Sequence, residues 1–312
     1  MLKRFLIMAV ATKIDLYQVV TDAIIAKLES GVCPWSPGWA SAKLSRPLRS
    51  CGIPYQGVNV VILWFAALEA GYTSPFWLTF EQAKKLGGSV RKGEKSSRVV
   101  FFQPVVKSEE SASGETLTKS FPILKSYCVF NANQIDGLPD HFYPKGESVE
   151  INAGERIASF DEFVKATGAH VVEEGNQAKY SRVADRVSVP PFAQFASPED
   201  YASTLAHELI HWTGVPGRLD RQLGKRFGDA QYAAEELVAE LGAAFILADL
   251  GICSVPRDDH ASYLASWLKV LKADKRALFS ASALASKAAE YLAERAGMRP
   301  VGVPQENSSE GV

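Results

Sequence analysis

The sequence predicts an α+β protein of two domains, and three observations carry that prediction. A chain of 312 residues exceeds the size at which one hydrophobic core keeps growing, so it is expected to divide. Apolar residues at helical spacing alternate along it with short runs rich in Val and Phe, so helices and strands are both required. Charge is also divided: residues 1–145 carry a net +6 and residues 146–312 a net −7, inside an overall charge of −1. At 47% hydrophobic and 22% charged residues, the composition is that of an ordinary soluble globular protein.

Elements follow in chain order. Residues 1–14 read as a non-exported N-terminal tail. Its apolar stretch of seven residues, 5–11, is at the lower limit for a signal peptide and is followed at once by Lys13 and Asp15; Met8 is an alternative start. Residues 15–30 have Val19, Ile24, Ile25 and Leu28 at helical spacing and stop at Gly31. Pro34, Trp35, Pro37, Gly38 and Trp39 then enforce an irregular extended segment. Helices are predicted over 58–70, ending at Gly71, and over 80–86, closed by Gly87-Gly88. Residues 98–106 and 126–130 read as strands, with a polar loop at 108–120 between them.

The segment 136–150, with Gly137, Pro139, Pro144 and Gly146, is expected to link a first domain of residues 15–135 to a second of residues 151–297. In the second, 171–174 and 186–189 read as strands. Ser197-Pro198-Glu199-Asp200 is a helix start: a Ser cap, Pro in the first turn, then two acids at the positive end of the dipole. Helices are predicted through residue 212, over 232–250, and once or twice within 261–296. Residues 298–312, rich in Pro, Gly, Ser and Glu, are expected to be a disordered tail. No apolar run approaches the roughly 20 residues that span a bilayer, so no membrane is expected. The four cysteines, Cys33, Cys51, Cys128 and Cys253, form no C-x-x-C pair and are read as buried free thiols of a cytoplasmic protein.

The chemistry concentrates in His207-Glu208-Leu209-Ile210-His211. Four residues apart on a helix, His207 and His211 offer two imidazoles to one ion, and Glu208 is placed to take a proton from water at the open coordination position. A third ligand is required. Acids beside an apolar helix stripe are usually solvated, but downstream of such a motif the Ala234–Leu241 stretch can supply it. There Glu236 and Glu240 flank the stripe of Leu237, Leu241, Ala244, Phe245 and Ala248, while Glu235 is turned about 100° away from Glu236. Glu236 is therefore the expected third ligand, with Glu240 orienting a histidine N–H. Zn2+ is the expected ion, with Mn2+ or Co2+ accepted by the same donors. Glu208 would act as general base in peptide hydrolysis, and Tyr232, one turn before Glu236, would donate to the developing oxyanion. The peptide substrate is unknown. Residues 185–189 could offer a strand edge to an extended peptide, or be plain sheet interior.

In the basic half, Lys84, Lys85, Arg91, Lys92, Lys95 and Arg98 fall within fifteen residues that hold one acid, Glu94. Trp35, Trp39, Tyr55 and Trp77 lie nearby. Cations that track phosphates and rings that stack on bases are what single-stranded nucleic acid requires.

Two blocks carry a family resemblance. Tyr17-Gln18-Val19-Val20-Thr21-Asp22, Pro34-Trp35, Tyr55-Gln56-Gly57-Val58-Asn59, Trp77-Leu78-Thr79-Phe80-Glu81-Gln82-Ala83 and Val90-Arg91-Lys92-Gly93-Glu94-Lys95 resemble the N-terminal domain of ArdC-type antirestriction proteins. That domain is shared with conjugation primases of the TraC type. Residues 204–214, Arg218-Leu219 and residues 235–241 resemble the same family's zincin-like metallopeptidase domain. The resemblance implies an α+β domain binding single-stranded DNA, then a metal-dependent peptidase, together protecting incoming mobile DNA from restriction. An alternative is a DNA-coating protein whose metal site is structural or vestigial. Where the family often has Pro-x-Asn, this chain has Pro47-Leu48-Arg49, which makes Arg49 an expected phosphate contact.

Overall fold

The computed structural model describes residues 15–31, 33, 35, 45–110, 116–144, 154–221, 230–253 and 260–298. The expected N-terminal tail, residues 145–150 of the expected linker, the expected C-terminal tail beyond Met298 and Trp39 lie outside them. The first domain runs α1 (Leu16–Glu29), β1 (Leu48–Arg49), α2 (Val58–Ala70), β2 (Phe76–Leu78), α3 (Phe80–Lys85), β3 (Ser89–Val90), β4 (Ser97–Glu110), β5 (Thr116–Asn131) and β6 (Ile135–Asp136). The second runs α4 (Ala158–Thr167), β7 (Val171–Glu173), β8 (Lys179–Ser181), β9 (Arg186–Val189), α5 (Pro198–Thr213), α6 (Ala230–Asp249), α7 (His260–Ala273) and α8 (Ala277–Arg295). The architecture is α+β.

Local chemistry explains the helix ends. The Asp15 carboxylate accepts from the backbone N–H of Tyr17 and Gln18. Thr79 and Gln82 cap one another's backbone at the start of α3. Ser197 accepts from the N–H of Asp200, with Pro198 following in the first turn. Gly71 closes α2 at φ 68°, in the left-handed region that only glycine enters without penalty.

One sheet has the order β1-β2-β5-β4, a second pairs β3 with β6, and a third has the order β7-β9-β8. α2 is apolar on nearly every side: Val60, Val61, Leu63 and Trp64 are all buried, because the helix touches both β4 and α8. At the free edge of β4 the Asn59 side chain accepts from the Val100 N–H and donates to its carbonyl, each at 2.8 Å, satisfying groups no strand pairs.

The two domains share a hydrophobic core. Trp64 meets Phe245 of α6 edge-on at 5.6 Å, and the Gly57 N–H donates to Ser286 of α8. Arg46 forms a buried ion pair with Asp249 at the end of α6, at 2.8 Å. Burial pushes the Asp249 carboxyl up, against the pull of Arg46. Loss of either partner would strand a charge in this core.

Several expectations need correction. The predicted loop at 108–120 is largely strand, since pairing continues to Glu110 opposite Thr116; backbone pairing requires no apolar pattern. The start of the expected linker is packed structure. Gly137 (φ 80°) turns the chain back, so that Leu138 and Phe142 join Leu78, Ala83, Ala132 and Ile135 in a small second core. The cysteines are not buried: Cys51 and Cys128 are exposed, Cys33 and Cys253 half-buried. β9 is paired on both sides, so it is sheet interior and offers no edge; the edges belong to β7 and β8. α4, unforeseen in the sequence, packs Phe160 and Phe163 into the shared core.

Candidate metal centre

α5 is buried almost throughout, and both histidines of the motif project towards α6 rather than solvent. The approach of the two helices depends on Gly242: a Cβ there would lie 2.8 Å from Cδ1 of Ile210 and 2.9 Å from its Cγ1. Such contacts force either side chain or helix to shift. Close packing brings Glu236 against the motif.

The three expected ligands converge. His207 Nε2 lies 3.1 Å from His211 Nε2, Glu236 Oε2 lies 3.3 Å from His207 Nε2, and Glu236 Oε1 lies 3.5 Å from His211 Nε2. Two donors bonded at about 2.0–2.1 Å to one tetrahedral ion stand about 3.3 Å apart, so these separations fit a shared divalent cation. Among the described residues this is the one group of His, Cys, Asp or Glu side chains so arranged.

The outer nitrogens each lie beside a carboxylate. His207 Nδ1 lies 3.2 Å from Glu240 Oε1. His211 Nδ1 lies 3.2 Å from Glu235 Oε1. Sequence reasoning set Glu235 aside because it turns away from Glu236, yet that turn is what carries it to the far side of the second imidazole. Each ring therefore has a carboxylate on Nδ1, leaving Nε2 as the donor to metal.

Arg221 was also missed. Its guanidinium, 6% exposed, donates to Glu235 Oε1 at 2.8 Å, to Thr213 Oγ1 at 2.6 Å and to the Ile210 carbonyl at 2.7 Å. It ties the third carboxylate to the C-terminal turn of the motif helix. Its only sequence signal was a cation shortly after the motif.

Electrostatics match the geometry. Burial works against protonating His211, but Glu235 and Glu236, with the charge of Glu208, push its pKa up to about 10. Burial would raise Glu235 and Glu236; hydrogen bonds to the histidines, and to Arg221 in the case of Glu235, instead hold both below the usual carboxylate range. The pocket is built to hold positive charge. Glu208 is buried at 4% exposure, and Tyr232 is half-buried one turn before Glu236.

The basic half is arranged differently from expectation. Lys84, Lys85, Arg91, Lys92, Lys95, Arg98 and Arg49 are all exposed. Arg91 is engaged with Glu94 at 2.8 Å and Asp136 at 3.2 Å, so part of its charge is answered within the fold. Three of the four expected base-stacking rings are not available, and the fourth, Trp39, lies outside the described residues. Trp35 and Trp77 are each 1% exposed and Tyr55 3%: Trp35 packs on Trp267 and Trp77 on Tyr72. Large rings bury the most apolar area, and in this domain these three were recruited to the core.

This fold and donor set define a zincin-like metallopeptidase centre carried behind a separate α+β domain. A model described as zincin-like metallopeptidase matches residues 158–284, and one described as the N-terminal domain of the anti-restriction factor ArdC matches residues 14–130. The metal-free crystal structure of the antirestriction ArdC protein from plasmid R388 is 44% identical, with a TM-score of 0.79 over 91% of this chain and 98% of that one. Its Mn(II)-bound structure is 43% identical with a TM-score of 0.75. The uncharacterized protein y4eC of Sinorhizobium fredii is 36% identical over 90% of this chain and 92% of its own length. DNA primase TraC of Escherichia coli is 34% identical over 88% of this chain, which spans only 20% of that protein. The chain belongs to the ArdC-type antirestriction family.

Proposed function

We propose that this protein binds single-stranded DNA through its first domain and hydrolyses a peptide bond at its metal centre, protecting incoming mobile DNA from restriction in the cytoplasm. The observation that carries the peptidase reading is the His207–His211–Glu236 triangle with Glu208 buried beside it. A site needed only for folding has no use for a buried general base.

A divalent ion held there supplies Lewis acidity to a water and to the scissile carbonyl. Glu208 accepts the proton from the attacking water and returns it to the departing amine. Tyr232 donates a hydrogen bond to the oxyanion. Glu240 and Glu235 hold the two imidazole rings in place throughout. Two nitrogens and one carboxylate accept zinc, and also manganese or cobalt; we assign zinc as the working ion, and the Mn(II)-bound R388 protein supports a site that takes more than one. The basic surface of the first domain supports the DNA reading. Exposed, unbridged Cys51 and Cys128 fit a reducing cytoplasm, and among the described residues no helix is long and apolar enough to cross a membrane.

The test is Glu208→Gln, assayed for metal content, proteolysis of restriction-system proteins and protection of incoming DNA. Retained metal with lost proteolysis and lost protection is expected. Full protection by this variant would instead favour a DNA-coating protein with a structural metal site.

A further inference from the structure

With Trp35, Tyr55 and Trp77 buried, base stacking among the described residues falls to other rings. The stem of the β4–β5 hairpin presents them. Opposite residues of an antiparallel pair share a face, and the register sets Val99 against Tyr127 and Phe101 against Lys125. Alternation puts all four on one side. Phe101 is 41% exposed, and Tyr127 stands beside it edge-on at 5.7 Å. Burial and the neighbouring Tyr127 push the Tyr55 hydroxyl's pKa up, and the Arg49 guanidinium lies 5.6 Å from the Tyr55 ring centroid. The series runs continuously from Arg49 through Tyr55 and Tyr127 to Phe101 and Lys125, with an exposed cation at each end.

The charge of the stem is one-sided. Residues 97–107 and 116–131 contain Arg98, Lys107, Lys119 and Lys125 and no acid. Exposed Phe101 beside half-buried Tyr127, bracketed by cations on a strand pair whose acids, Glu109 and Glu110, stand only at the far end of β4, suits a polyanion whose bases are unpaired: every base has a face to stack, and the flanking cations meet phosphates. Phe102, also exposed, lies on the opposite side of the strand, where it neighbours Tyr17 of α1 at 6.5 Å.

We infer that this face of the hairpin stem is the single-stranded DNA platform, with Phe101 and Tyr127 stacking on a base and Arg49 and Lys125 holding the adjoining phosphates. The inference rests on the DNA-binding reading above and names the surface responsible. It replaces the buried tryptophans with rings that solvent can reach.

The experiment is binding of the full chain to a labelled oligothymidylate, followed by fluorescence anisotropy across a salt series. Phe101→Leu keeps the apolar bulk and removes the ring; it should weaken binding about five- to hundredfold and leave the salt slope unchanged. An abasic strand should erase the difference between this variant and wild type. The pair Arg49→Gln and Lys125→Gln should lower the salt slope by about 0.7 for each phosphate no longer neutralised. Unchanged metal affinity in every variant confirms an intact fold. If wild type binds and these variants bind identically with the same slope, the platform is elsewhere and the DNA reading stands. If wild type fails to bind at low salt, the DNA reading falls with it.

Discussion

The metal centre and the basic surface treat charge in opposite ways. At the centre, His207, Glu208, Glu235, Glu236 and Glu240 are all buried, and each imidazole is fixed between a shared triangle and its own carboxylate. On the first domain, Lys84, Lys85, Lys92, Lys95 and Arg98 stand in solvent. Preorganised sites suit chemistry, where a misplaced atom costs rate. Mobile exposed cations suit a flexible polyanion that can be met in many registers. The contrast predicts that substitutions at the centre are severe and specific, whereas those on the surface are graded.

The largest effect is expected at the general base. Glu208→Gln should lower peptidase turnover by about 10²–10⁴ at unchanged metal content; comparable turnover in wild type and variant would remove Glu208 from the chemistry. Next comes Trp77→Ala, which should cost about 3–5 kcal/mol of stability, read by denaturant midpoint, while oligonucleotide affinity of the folded protein stays at the wild-type value. Weakened oligonucleotide binding at preserved stability would restore Trp77 to the DNA surface and break the contrast.

Glu235→Gln and Glu240→Gln should each weaken metal binding about 10–100-fold, measurable by competition with a chelating dye. Equal affinity in variant and wild type would show that the rings need no such support. Arg221→Met leaves Glu235 buried without its cation and should destabilise the protein by about 3–5 kcal/mol. The pair Arg221→Met with Glu235→Gln should recover much of that loss yet still bind metal weakly.

Metal binding should also depend on pH. A metal ion must displace the proton that His211 holds up to about pH 10, so affinity should rise about tenfold per pH unit through neutrality, with proton release seen by calorimetry in two buffers. In the metal-free protein that same proton stabilises the fold below about pH 6.5, and the contribution fades as pH climbs through about 10. A pH-independent affinity would contradict the raised histidine. Smallest of all, single changes such as Lys92→Gln should lower the salt slope by about 0.7 or less, with no effect on metal.

Much of this was readable in advance, for local reasons. α2 begins and ends where its Gly57 and Gly71 caps and apolar run place it, α5 starts at the Ser197 cap, and the spacing of His207 and His211 follows from helical pitch alone. Glu236 was accessible because ligand position relative to a buried stripe is also a helical property. Failures came where the deciding neighbour was distant in sequence. Aromatic residue type does not say whether a ring faces core or solvent: Trp35 and Trp77, expected at DNA, are buried, whereas Phe101 is exposed. The pairing of β4 and β5 through residues 108–110 and 116–120 rests on register set by the partner strand.

The sequence by itself determined the chemistry of the centre: two imidazoles, a base and a carboxylate whose mutual placement is governed by the repeat of two helices. Only the tertiary structure decided who supports them and who faces solvent. Glu235 reaches His211 because α6 packs close against α5 at Gly242, Arg221 reaches Glu235 because the chain turns back after the motif helix, and Phe101 stays exposed on a strand that α2 packs against elsewhere. Helical periodicity is written residue by residue, whereas burial is a property of what the rest of the chain brings alongside.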